Sequence, residues 1–469
     1  MSLALRITVL CLGLLTLATA ARAEPGDIAF VECLAADVNL TGVTGCTDVT
    51  PTTNVMRGFD SVVVSSDGLH VYGASSFANA VVHFSRDPAD GRLTFADCVS
   101  SAVAITGCTN IGGTSDALNG ASSLRLSPDG EDVYVVSSIA DSVSQLSLAP
   151  DGPGAGALSF VDCWSTRPAA GCTDLSGVTE SLNTTGSLEI SPDGADVYTT
   201  SDSNPGAVTH FSRGMDGGLT FESCVSSGAV PGCTDLGATT NAIQLVSPVV
   251  ISPDGADIYV GADTRSAIIH FRRNLADGSF AFDSCLTSST STTGCAELAT
   301  SAARRIVEEG LTISADGRHV YSASLAQAAV VQYNRAADTG ALTQVDCITT
   351  AGATTNCRQI PDVEFQSLVN LTIANDGASV YASGLAANAV FGLDRDRRTG
   401  TLSFNDCISS TGAEPCIDLS MTAANSTAEP TGIAVSPRGE SLYIGSTTAF
   451  LHADREPPVD LFSDSFEDF

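Results

Sequence analysis

Ser127-Pro-Asp-Gly-Glu-Asp-Val-Tyr-Val135 is one of seven similar segments, and this repeat decides the fold. In each copy, a turn of the type Ser-x-Asp-Gly leads into a strand that carries a tyrosine. The seven tyrosines recur at intervals of 60–64 residues and are Tyr72, Tyr134, Tyr198, Tyr259, Tyr321, Tyr381 and Tyr443. Two copies vary the turn, with Ala374 in place of the serine and Arg438 in place of the aspartate. A fixed period of this length indicates a repeat architecture.

Each repeat predicts four short antiparallel strands. In the copy around Ser314, the four strands are expected at Leu311–Ile313, His319–Tyr321, Ala329–Tyr333 and Ala341–Val345. The turns Ser314–Gly317 and Asp338–Gly340 have the Asp and Gly residues that tight turns favour. Short strands separated by turn signals at hairpin spacing are typical of a propeller blade.

The two ends of the chain complement each other. A lone fourth strand, Asp27–Cys33, comes first, and three strands come last, at Gly432–Val435, Ser441–Gly445 and Ala449–Ala453. A linear solenoid is the alternative, but it would carry polar caps rather than complementary fragments. The sequence therefore predicts an all-β fold, a seven-bladed β-propeller of four-stranded antiparallel blades that is closed by the N-terminal strand completing the last blade.

Cysteines follow the same repeat, with two in each unit. An even number of cysteines in local pairs predicts one disulfide per repeat. Zinc is the alternative, but each unit offers two thiols and no nearby histidine, so a four-ligand site is not favoured. The predicted pairs are Cys33/Cys46, Cys98/Cys108, Cys163/Cys172, Cys224/Cys233, Cys285/Cys295, Cys347/Cys357 and Cys407/Cys416.

The N-terminal segment predicts export. Arg6 precedes an apolar run, Ile7–Ala18, and Ala21-Arg22-Ala23 has the small-x-small pattern of a cleavage site. This pattern predicts a signal peptide over residues 1–23, because the run is too short for a membrane span. The expected domains are then the signal peptide, a propeller over 24–453 and an acidic, Phe-containing tail over 454–469. We expect a secreted or periplasmic protein cleaved near Ala23.

Charge limits the classes of partner. The formal net charge is −32, and all 21 basic residues are arginine. Such a chain repels nucleic acid and anionic lipid, so neither is an expected partner. We expect a monomer without a membrane span, and the partner to be a small polar molecule, an extracellular protein or a glycan.

Several segments resemble a known family. Ser127–Gly130 with Asp132–Val135, and the similar segments 191–198 and 252–260, resemble the Tyr-Val-Thr-Asn (YVTN) repeats of lactonase-like seven-bladed propellers, which include 6-phosphogluconolactonase-like proteins. The resemblance covers the expected propeller and implies its fold. It also implies histidine, glutamate and arginine around the channel, often with a Pro-His-x-His segment. This sequence has no Pro-His pair, which puts the family activity in doubt.

The histidines follow the repeat instead. Four of them, His83, His210, His270 and His452, occupy one equivalent position of the third strand, whereas His70 and His319 follow Asp-Gly turns. Residues repeated in this way are expected to be structural.

Candidate site residues lie where the copies differ, near the start of the first strand. The eighth position before each turn is polar in five units, and the fifth position is acidic in two. The predicted binding residues are Asp60, Asn119, Asn183, Gln244 and Gln366, and the candidate catalytic residues are Arg57, Arg305, Glu308 and Glu309. Arg125 and Glu189 are charged at a first-strand position that is otherwise uncharged, which suggests a polar contact near the channel. A water-filled channel is the alternative to a ligand site.

No cofactor is predicted, and calcium is the one metal to weigh. Asp48, Asp174, Asp235 and Asp418 each follow the second cysteine of a pair by two residues. Carboxylate oxygens suit Ca²⁺, but no unit has an oxygen-rich run, and Asx turns or helix caps explain the pattern better.

The complete repeats and the lack of a catalytic motif favour a binding function over an enzymatic one. The leading hypothesis is an exported, disulfide-stapled propeller that acts as a binding scaffold through its loop-rich face and central channel. The alternative is a lactonase-like hydrolase that acts on a lactone or a similar small polar substrate.

Overall fold

The computed structural model describes residues 27–36, 43–49, 55–102, 105–112, 115–152, 154–167, 171–298, 310–324, 328–350, 357–360, 363–412 and 415–455. These residues form strands β1–β35, which associate into seven five-stranded sheets. In this part of the chain, no helix is long and apolar enough to cross a bilayer. The predicted signal peptide and residues 456–469 of the predicted tail lie outside the described residues.

Each sheet is one blade, and the first four blades follow one another along the chain. Blade 1 comprises β3 (Phe59–Val64), β4 (His70–Ser75), β5 (Ala80–Arg86), β6 (Leu93–Ser100) and β7 (Thr109–Asn110). Blade 2 comprises β8 (Ala121–Leu126), β9 (Asp132–Ser137), β10 (Ser142–Leu148), β11 (Leu158–Ser165) and β12 (Thr173–Asp174). Blade 3 comprises β13 (Thr185–Ile190), β14 (Asp196–Ser201), β15 (Ala207–Arg213), β16 (Leu219–Ser226) and β17 (Thr234–Asp235). Blade 4 comprises β18 (Val246–Ile251), β19 (Asp257–Ala262), β20 (Ala267–Arg273), β21 (Phe280–Thr287) and β22 (Ala296–Glu297).

Two further blades continue this order, and the last blade combines both ends of the described chain. Blade 5 comprises β23 (Gly310–Ile313), β24 (His319–Ser324), β25 (Ala329–Arg335), β26 (Leu342–Thr350) and β27 (Arg358–Ile360). Blade 6 comprises β28 (Leu368–Ile373), β29 (Ser379–Gly384), β30 (Ala389–Arg395), β31 (Leu402–Ser409) and β32 (Ile417–Asp418). Blade 7 comprises β33 (Gly432–Val435), β34 (Ser441–Gly445), β35 (Phe450–Arg455), β1 (Ile28–Ala35) and β2 (Thr47–Asp48).

The blades form a closed ring. Each blade's first strand contacts the first strands of the blades on either side, and β33 of blade 7 contacts β3 of blade 1. Strand β1 pairs antiparallel with β35, from Ile28 opposite Arg455 to Leu34 opposite Phe450. The predicted all-β, seven-bladed propeller and its closure by the N-terminal strand are confirmed. The last strand runs to Arg455, two residues beyond its predicted end.

The Ser-x-Asp-Gly turn is held by its own side chains. In blade 2, the Ser127 hydroxyl donates to Asp129 Oδ1 at 2.5 Å and accepts from the Asp132 amide at 2.9 Å. Gly130 has a φ of 75°, which glycine adopts without steric cost. The Gly130 amide donates to the Ser127 carbonyl at 2.9 Å and closes the turn. This motif therefore joins the first and second strands in a fixed register.

A fifth strand, which the sequence did not predict, ends each blade. It pairs parallel to the fourth strand through two or three residues, as at Val99–Thr109 and Ser100–Asn110. A parallel pair needs a crossover, because the chain must return to the same end of the sheet. Here the crossover is the cysteine loop, and the disulfide Cys98–Cys108 directly precedes the paired residues.

All seven predicted disulfides are formed, and the two cysteines of a pair differ in their surroundings. The first cysteine lies on the fourth strand and is buried in every blade. The second cysteine directly precedes the fifth strand and is only half-buried. These second cysteines are Cys46, Cys108, Cys172, Cys233, Cys295, Cys357 and Cys416. The bonds are Cys33–Cys46, Cys98–Cys108, Cys163–Cys172, Cys224–Cys233, Cys285–Cys295, Cys347–Cys357 and Cys407–Cys416.

The core lies between neighbouring blades. The aliphatic residue three positions before each turn is buried in every blade, as at Val62, Leu124 and Leu188. All seven repeat tyrosines are fully buried. Four of them stack on the third-strand histidine of the same blade, for example Tyr198 on His210 with ring centroids 4.9 Å apart. These four histidines are buried, which confirms the expectation that they are structural.

The closing strand β1 also contacts blade 6 through one carboxyl group. The Ile28 amide donates to Asp406 Oδ2 on β31 at 2.5 Å. Burial, together with the carboxylates of Asp27 and Asp394, raises the pKa of Asp406 to about 7, against the hydrogen bond from Ile28 that lowers it. The folded protein therefore retains a proton on this group at pH values where the unfolded chain has lost it.

We expect Asp406→Asn to stabilise the protein at neutral pH by roughly 1–3 kcal/mol. Because the folded-state pKa is raised, ionisation of Asp406 costs stability progressively from about pH 4, near the ordinary value, up to about pH 7. The measurement is the difference in unfolding free energy between variant and wild type, from denaturant titrations at pH 4.5, 6 and 8. A difference that does not grow with pH would contradict this assignment.

Candidate functional site

A cavity of about 380 Å³ lies on the axis of the ring. Residues of all seven blades line it, so it is the mouth of the central channel. Its wall consists mainly of hydroxyl and carboxyl groups from the first strands and from the loops between second and third strands. Examples are Ser61, Ser123, Ser138 and Thr184. A second cavity of about 390 Å³ shares Ser61, Arg125, Leu311 and Asn370 with the first and continues the channel.

β-Bulges bring these residues to the channel. The pairing of first and second strands shifts register in five blades, for example between Phe59 and Ser61 in blade 1 and between Ala121 and Ser123 in blade 2. The additional residues in these two blades are Asp60 and Ser122, and both line the cavity. A bulge reorients side chains, so it interrupts the alternation that a regular strand would impose.

Two carboxyl groups at the mouth have raised pKa values. Burial raises the pKa of Asp60 to about 6, against hydrogen bonds from the hydroxyl and backbone of Ser76 that lower it. Burial, and then the nearby carboxylate of Asp263, raise the pKa of Asp202 above its usual range. Both side chains are therefore poised to ionise closer to neutral pH than an ordinary aspartate.

An ion pair crosses the channel wall between blades 2 and 3. Arg125 Nε donates to Glu189 Oε2 at 3.0 Å, and Arg125 Nη1 donates to the Leu124 carbonyl at 2.9 Å. The side chains are 32% and 23% exposed, so solvent in the channel reaches both. The polar contact suggested by these two charged positions is confirmed.

Hydrogen bonds between neighbouring blades make the mouth rigid. The Thr431 hydroxyl donates to the Phe59 carbonyl at 2.5 Å, and Asn370 Nδ2 donates to the Thr431 carbonyl at 2.9 Å. The Thr200 hydroxyl donates to the Ser247 carbonyl at 2.6 Å. These bonds join adjacent blades at the level of the cavity, so its lining is organised before any ligand arrives.

Only one of the five predicted binding residues lines the cavity on the ring axis. Asp60 lines the cavity, whereas Asn119, Asn183, Gln244 and Gln366 are not among its lining residues. These four lie earlier in the chain, before the first strand, and Asn183 and Gln366 are exposed. A binding role for them stays a prediction.

The candidate catalytic residues are not brought together by the described part of the chain. Arg57 is exposed and does not line the cavity. Arg305, Glu308 and Glu309 lie outside the described residues, so their catalytic role stays a prediction.

The disulfides stand apart from the lining of the channel mouth. Neither cavity on the ring axis has a cysteine among its lining residues. The half-buried second cysteine of each pair therefore does not belong to the candidate site. These cysteines are Cys46, Cys108, Cys172, Cys233, Cys295, Cys357 and Cys416. In three blades a hydroxyl from the preceding connection contacts the disulfide instead, as Thr179 Oγ1 lies 3.4 Å from Cys224 Sγ and 3.8 Å from Cys233 Sγ. The disulfides thus order the connections between blades rather than the lining of the channel.

Sequence reasoning missed other residues of the mouth. Asp202 and Ser138 come from loops between second and third strands, where the repeats have no common pattern. The serines Ser61, Ser123 and Ser187 were detectable, because each stands four residues before a turn. A small polar residue repeated at one position of a first strand is a usable signal for a channel wall.

The acidic residues after the cysteine pairs form Asx turns. Oδ1 of Asp174 accepts from the Ser176 amide at 2.8 Å, and Oδ1 of Asp418 accepts from the Ser420 amide at 2.7 Å. Asp235 and Asn110 make the same bond. Among the residues that the structure describes, no group of three or more His, Cys, Asp or Glu side chains could hold a metal ion. Calcium binding stays a prediction.

Comparisons with known proteins give structural likenesses at low sequence identity. No family model matches the sequence, and no curated protein matches it. Among solved structures, the periplasmic gluconolactonase PpgL of Pseudomonas aeruginosa aligns with a TM-score of 0.49 and 14% identity, over 75% of this chain and 85% of its own. A protein of Bacteroides fragilis, provisionally named a 6-phosphogluconolactonase, has a TM-score of 0.49 and 17% identity, over 75% of this chain and 84% of its own. Hydrazine synthase of Kuenenia stuttgartiensis has a TM-score of 0.48 and 14% identity, over 84% of this chain and 93% of its own. The seven-bladed fold that the resemblance implies is confirmed by the sheet topology, and these likenesses carry no argument about chemistry.

Proposed function

We propose that this protein is an exported binding protein whose channel mouth holds a small polyhydroxylated molecule, such as a sugar or sugar derivative. The observation that carries the proposal is the 380 Å³ cavity on the ring axis, with Asp60 and Asp202 among serine and threonine hydroxyls. Cavities of this size are in the range that small ligands occupy. Carboxylates and hydroxyls pair with the alternating donors and acceptors of a polyol.

The compartment is part of the same proposal. Seven disulfides are formed, and disulfides persist in oxidising compartments outside the cytosol. Together with the signal-like segment at residues 1–23, they support secretion or a periplasmic location. The cysteine loops order the loop-rich face around the mouth, which suits a preorganised site.

The binding experiment is a calorimetric titration of the full chain with a panel of monosaccharides, alditols and aldonolactones. We expect at least one of them to bind, with affinity rising between pH 5 and pH 7 and then levelling off. The reason is that Asp60 ionises near pH 6, and an ionised carboxylate is the stronger acceptor for a ligand hydroxyl. Asp60→Asn should weaken binding by about 10- to 100-fold at pH 7 and remove its pH dependence.

A matched control is Asp277→Asn, which changes an exposed carboxylate in a turn between third and fourth strands. It alters the net charge equally and should leave the affinity unchanged. If Asp60→Asn and Asp202→Asn bound the ligand as tightly as wild type does, the channel mouth would not be the site.

The hydrolase alternative can be tested on the same panel. Turnover of an aldonolactone that is lost in Glu309→Gln would favour the lactonase-like hydrolase over the scaffold. Binding without turnover would favour the scaffold.

A further inference from the structure

Buried arginines bridge neighbouring blades on the face that carries the Ser-x-Asp-Gly turns. Each bridging arginine ends a third strand, and six of the seven blades have one: Arg86, Arg213, Arg273, Arg335, Arg395 and Arg455. Its Nη1 donates to the glycine carbonyl of the turn in its own blade, at distances from 2.8 to 3.5 Å. In five blades, its Nε also donates to the tyrosine hydroxyl of the preceding blade, at 2.5 to 3.1 Å.

The preceding blade supplies the negative partner as well. Between blades 2 and 3, Arg213 Nη1 lies 2.7 Å from Oδ2 of Asp129, the aspartate of the Ser-x-Asp-Gly turn. The corresponding aspartates Asp193, Asp254 and Asp376 lie 2.6 to 2.9 Å from their arginines. At the interfaces of blades 2/3, 3/4 and 4/5, a guanidinium group thus meets a carboxylate, a tyrosine hydroxyl and a glycine carbonyl.

Blade 2 is the exception, because Leu148 occupies the arginine position. Its backbone is in the same register, since the Leu148 amide donates to the Glu131 carbonyl at 2.8 Å as the Arg213 amide donates to the Ala195 carbonyl at 2.7 Å. The facing residues of blade 1 are nevertheless retained. Asp67 and Tyr72 correspond to Asp129 and Tyr134.

A cavity of about 600 Å³ lies at this interface and extends to Asn375 of blade 6 and to Val435 and Pro437 of blade 7. Its lining includes Asp67, His70, Tyr72, Gly130 and Leu148, and we call it the Leu148 cavity. Asp67, Tyr72 and Gly130 are equivalent to the residues that contact a bridging arginine at other interfaces. Asp151 adds a second carboxylate to its wall.

His70 adds an acceptor to the Leu148 cavity. Nδ1 of His83 lies 2.9 Å from Asp97 Oδ2, and Nε2 of His83 lies 3.0 Å from Nδ1 of His70. Because the carboxylate accepts, the proton of a neutral His83 is on Nδ1, and its Nε2 accepts from His70 Nδ1. A neutral His70 then has its Nε2 as a free acceptor. Burial, and the neighbouring His83, lower the pKa of His70, so the ring is neutral at pH 7.

The interface between blades 5 and 6 shows how a guanidinium meets these same residue types. There His319 and Tyr321 occupy the positions of His70 and Tyr72. Arg395 donates to His319 Nδ1 at 2.7 Å and to the Tyr321 hydroxyl at 2.7 Å. Asp316, which corresponds to Asp67, lies 3.8 Å from Arg395. An aspartate–histidine–tyrosine set is therefore compatible with a guanidinium in this fold.

We propose that the Leu148 cavity is a binding site for a guanidinium group that comes from outside the blade, such as the arginine side chain of a peptide. The planar guanidinium matches a carboxylate, a hydroxyl and a carbonyl at fixed positions, whereas a lysine ammonium is a point charge. The net charge of −32 favours a cationic ligand in general. This site lies on the opposite face from the channel mouth and does not depend on the function proposed for that mouth.

The test is calorimetric titration of the full chain, with disulfides intact, with methylguanidinium, the peptide Ala-Ala-Arg-Ala-Ala and the same peptide with lysine. We expect both guanidinium probes to bind in saturable fashion and the lysine peptide to bind at least about tenfold more weakly. Tighter binding of the arginine peptide than of methylguanidinium would assign the ligand to polypeptides, and equal binding would assign it to small molecules.

Two variants locate the site. Leu148→Arg should abolish binding, because its own side chain would occupy the cavity as Arg213 does at the next interface. Asp67→Asn, at an exposed turn position, should weaken binding about three- to tenfold without affecting the fold. The matched control Asp193→Asn, at the interface between blades 3 and 4, should leave binding unchanged. The proposal would be overturned by equal binding of the lysine peptide, by no binding of either guanidinium probe, or by unchanged binding in both Leu148→Arg and Asp67→Asn.

Discussion

Replacement of Arg335 by leucine is expected to lower the free energy of unfolding by about 3–5 kcal/mol. Asp257, on the preceding blade, has a fully buried side chain. Its carboxylate accepts from Arg335 Nε at 2.9 Å, from His270 Nε2 at 2.8 Å and from Arg272 Nη1 at 2.6 Å. Removal of Arg335 would leave the buried carboxylate with too few partners, and an under-compensated buried charge is costly. Denaturant titration at pH 7 with intact disulfides measures the loss.

The pH dependence of this loss identifies its cause. Burial opposes ionisation of Asp257, but hydrogen bonds from His270 and Arg335 hold its pKa below the usual range. A depressed folded-state pKa gives stability that is present above the ordinary pKa of aspartate and lost as pH falls through the folded value. The difference between Arg335→Leu and wild type should therefore shrink below about pH 4.

The control is Arg318→Leu, which removes an arginine of the same blade that is 57% exposed and pairs with a partly exposed aspartate, Asp316. Exposed pairs contribute little, so this variant should lose less than about 1 kcal/mol. If the two variants lost the same amount, the bridging arginines would not carry the stability that their burial implies. Leucine is tolerated at position 148 in a different setting, because the residue that faces it is His70 and not a buried aspartate.

The fold could be predicted because its determinants are local and repeated. The Ser127 turn, the strand around Tyr134 and the disulfide Cys163–Cys172 recur in register, and each has one structural solution. The fifth strand could not be predicted in this way. Thr173–Asp174 is only two residues long, and its pairing depends on a loop that the disulfide closes rather than on side-chain alternation.

The bridging arginines were a missed signal. Arg86 and its equivalents follow the repeat tyrosine by 12–15 residues, but the carboxylates and tyrosine hydroxyls that they contact are in another blade. A pattern of period two within a strand says nothing about contacts that cross a blade interface. That Leu148 replaces a bridging arginine becomes evident only when the other six interfaces are compared in three dimensions.

Of the residues predicted to lie at the channel mouth, only some do so. Asp60 was selected because it departs from the repeat, and it does line the cavity. The residues three positions earlier in each repeat, such as Asn119 and Asn183, do not, because bulges at Ser122 and Gly186 set which side chains face the axis. A bulge depends on the backbone pairing of two strands, and no residue type in these sequences marks it.

Deletion of residues 27–49 is expected to prevent folding. It removes β1 and β2, hence the fourth and fifth strands of blade 7, and exposes the pairing edge of β35. The lost strand buries Ile28 and Leu34 and carries Cys33, whose disulfide closes a 13-residue separation. Two buried aliphatic side chains at about 1.5–3 kcal/mol each and a disulfide at about 3 kcal/mol approach the total stability of an ordinary domain. Far-UV circular dichroism and size-exclusion chromatography should show an unfolded or aggregated chain.

A circular permutant that carries β1 and β2 at its C-terminus should fold, although these strands then come last in the sequence. Arg455 lies opposite Ile28, just as Arg395 lies opposite Leu402 in blade 6, where residues 396–401 connect the two strands. We therefore expect a chain that starts at Val55, continues to Arg455 and then runs through a copy of residues 396–401 into Ile28–Val49 to fold with a melting temperature close to that of wild type. The matched control carries the added loop but lacks residues 28–49, and it should behave like the deletion. If the control folded as well as the permutant, β1 would not close the ring, and blade 7 would be stable with three strands.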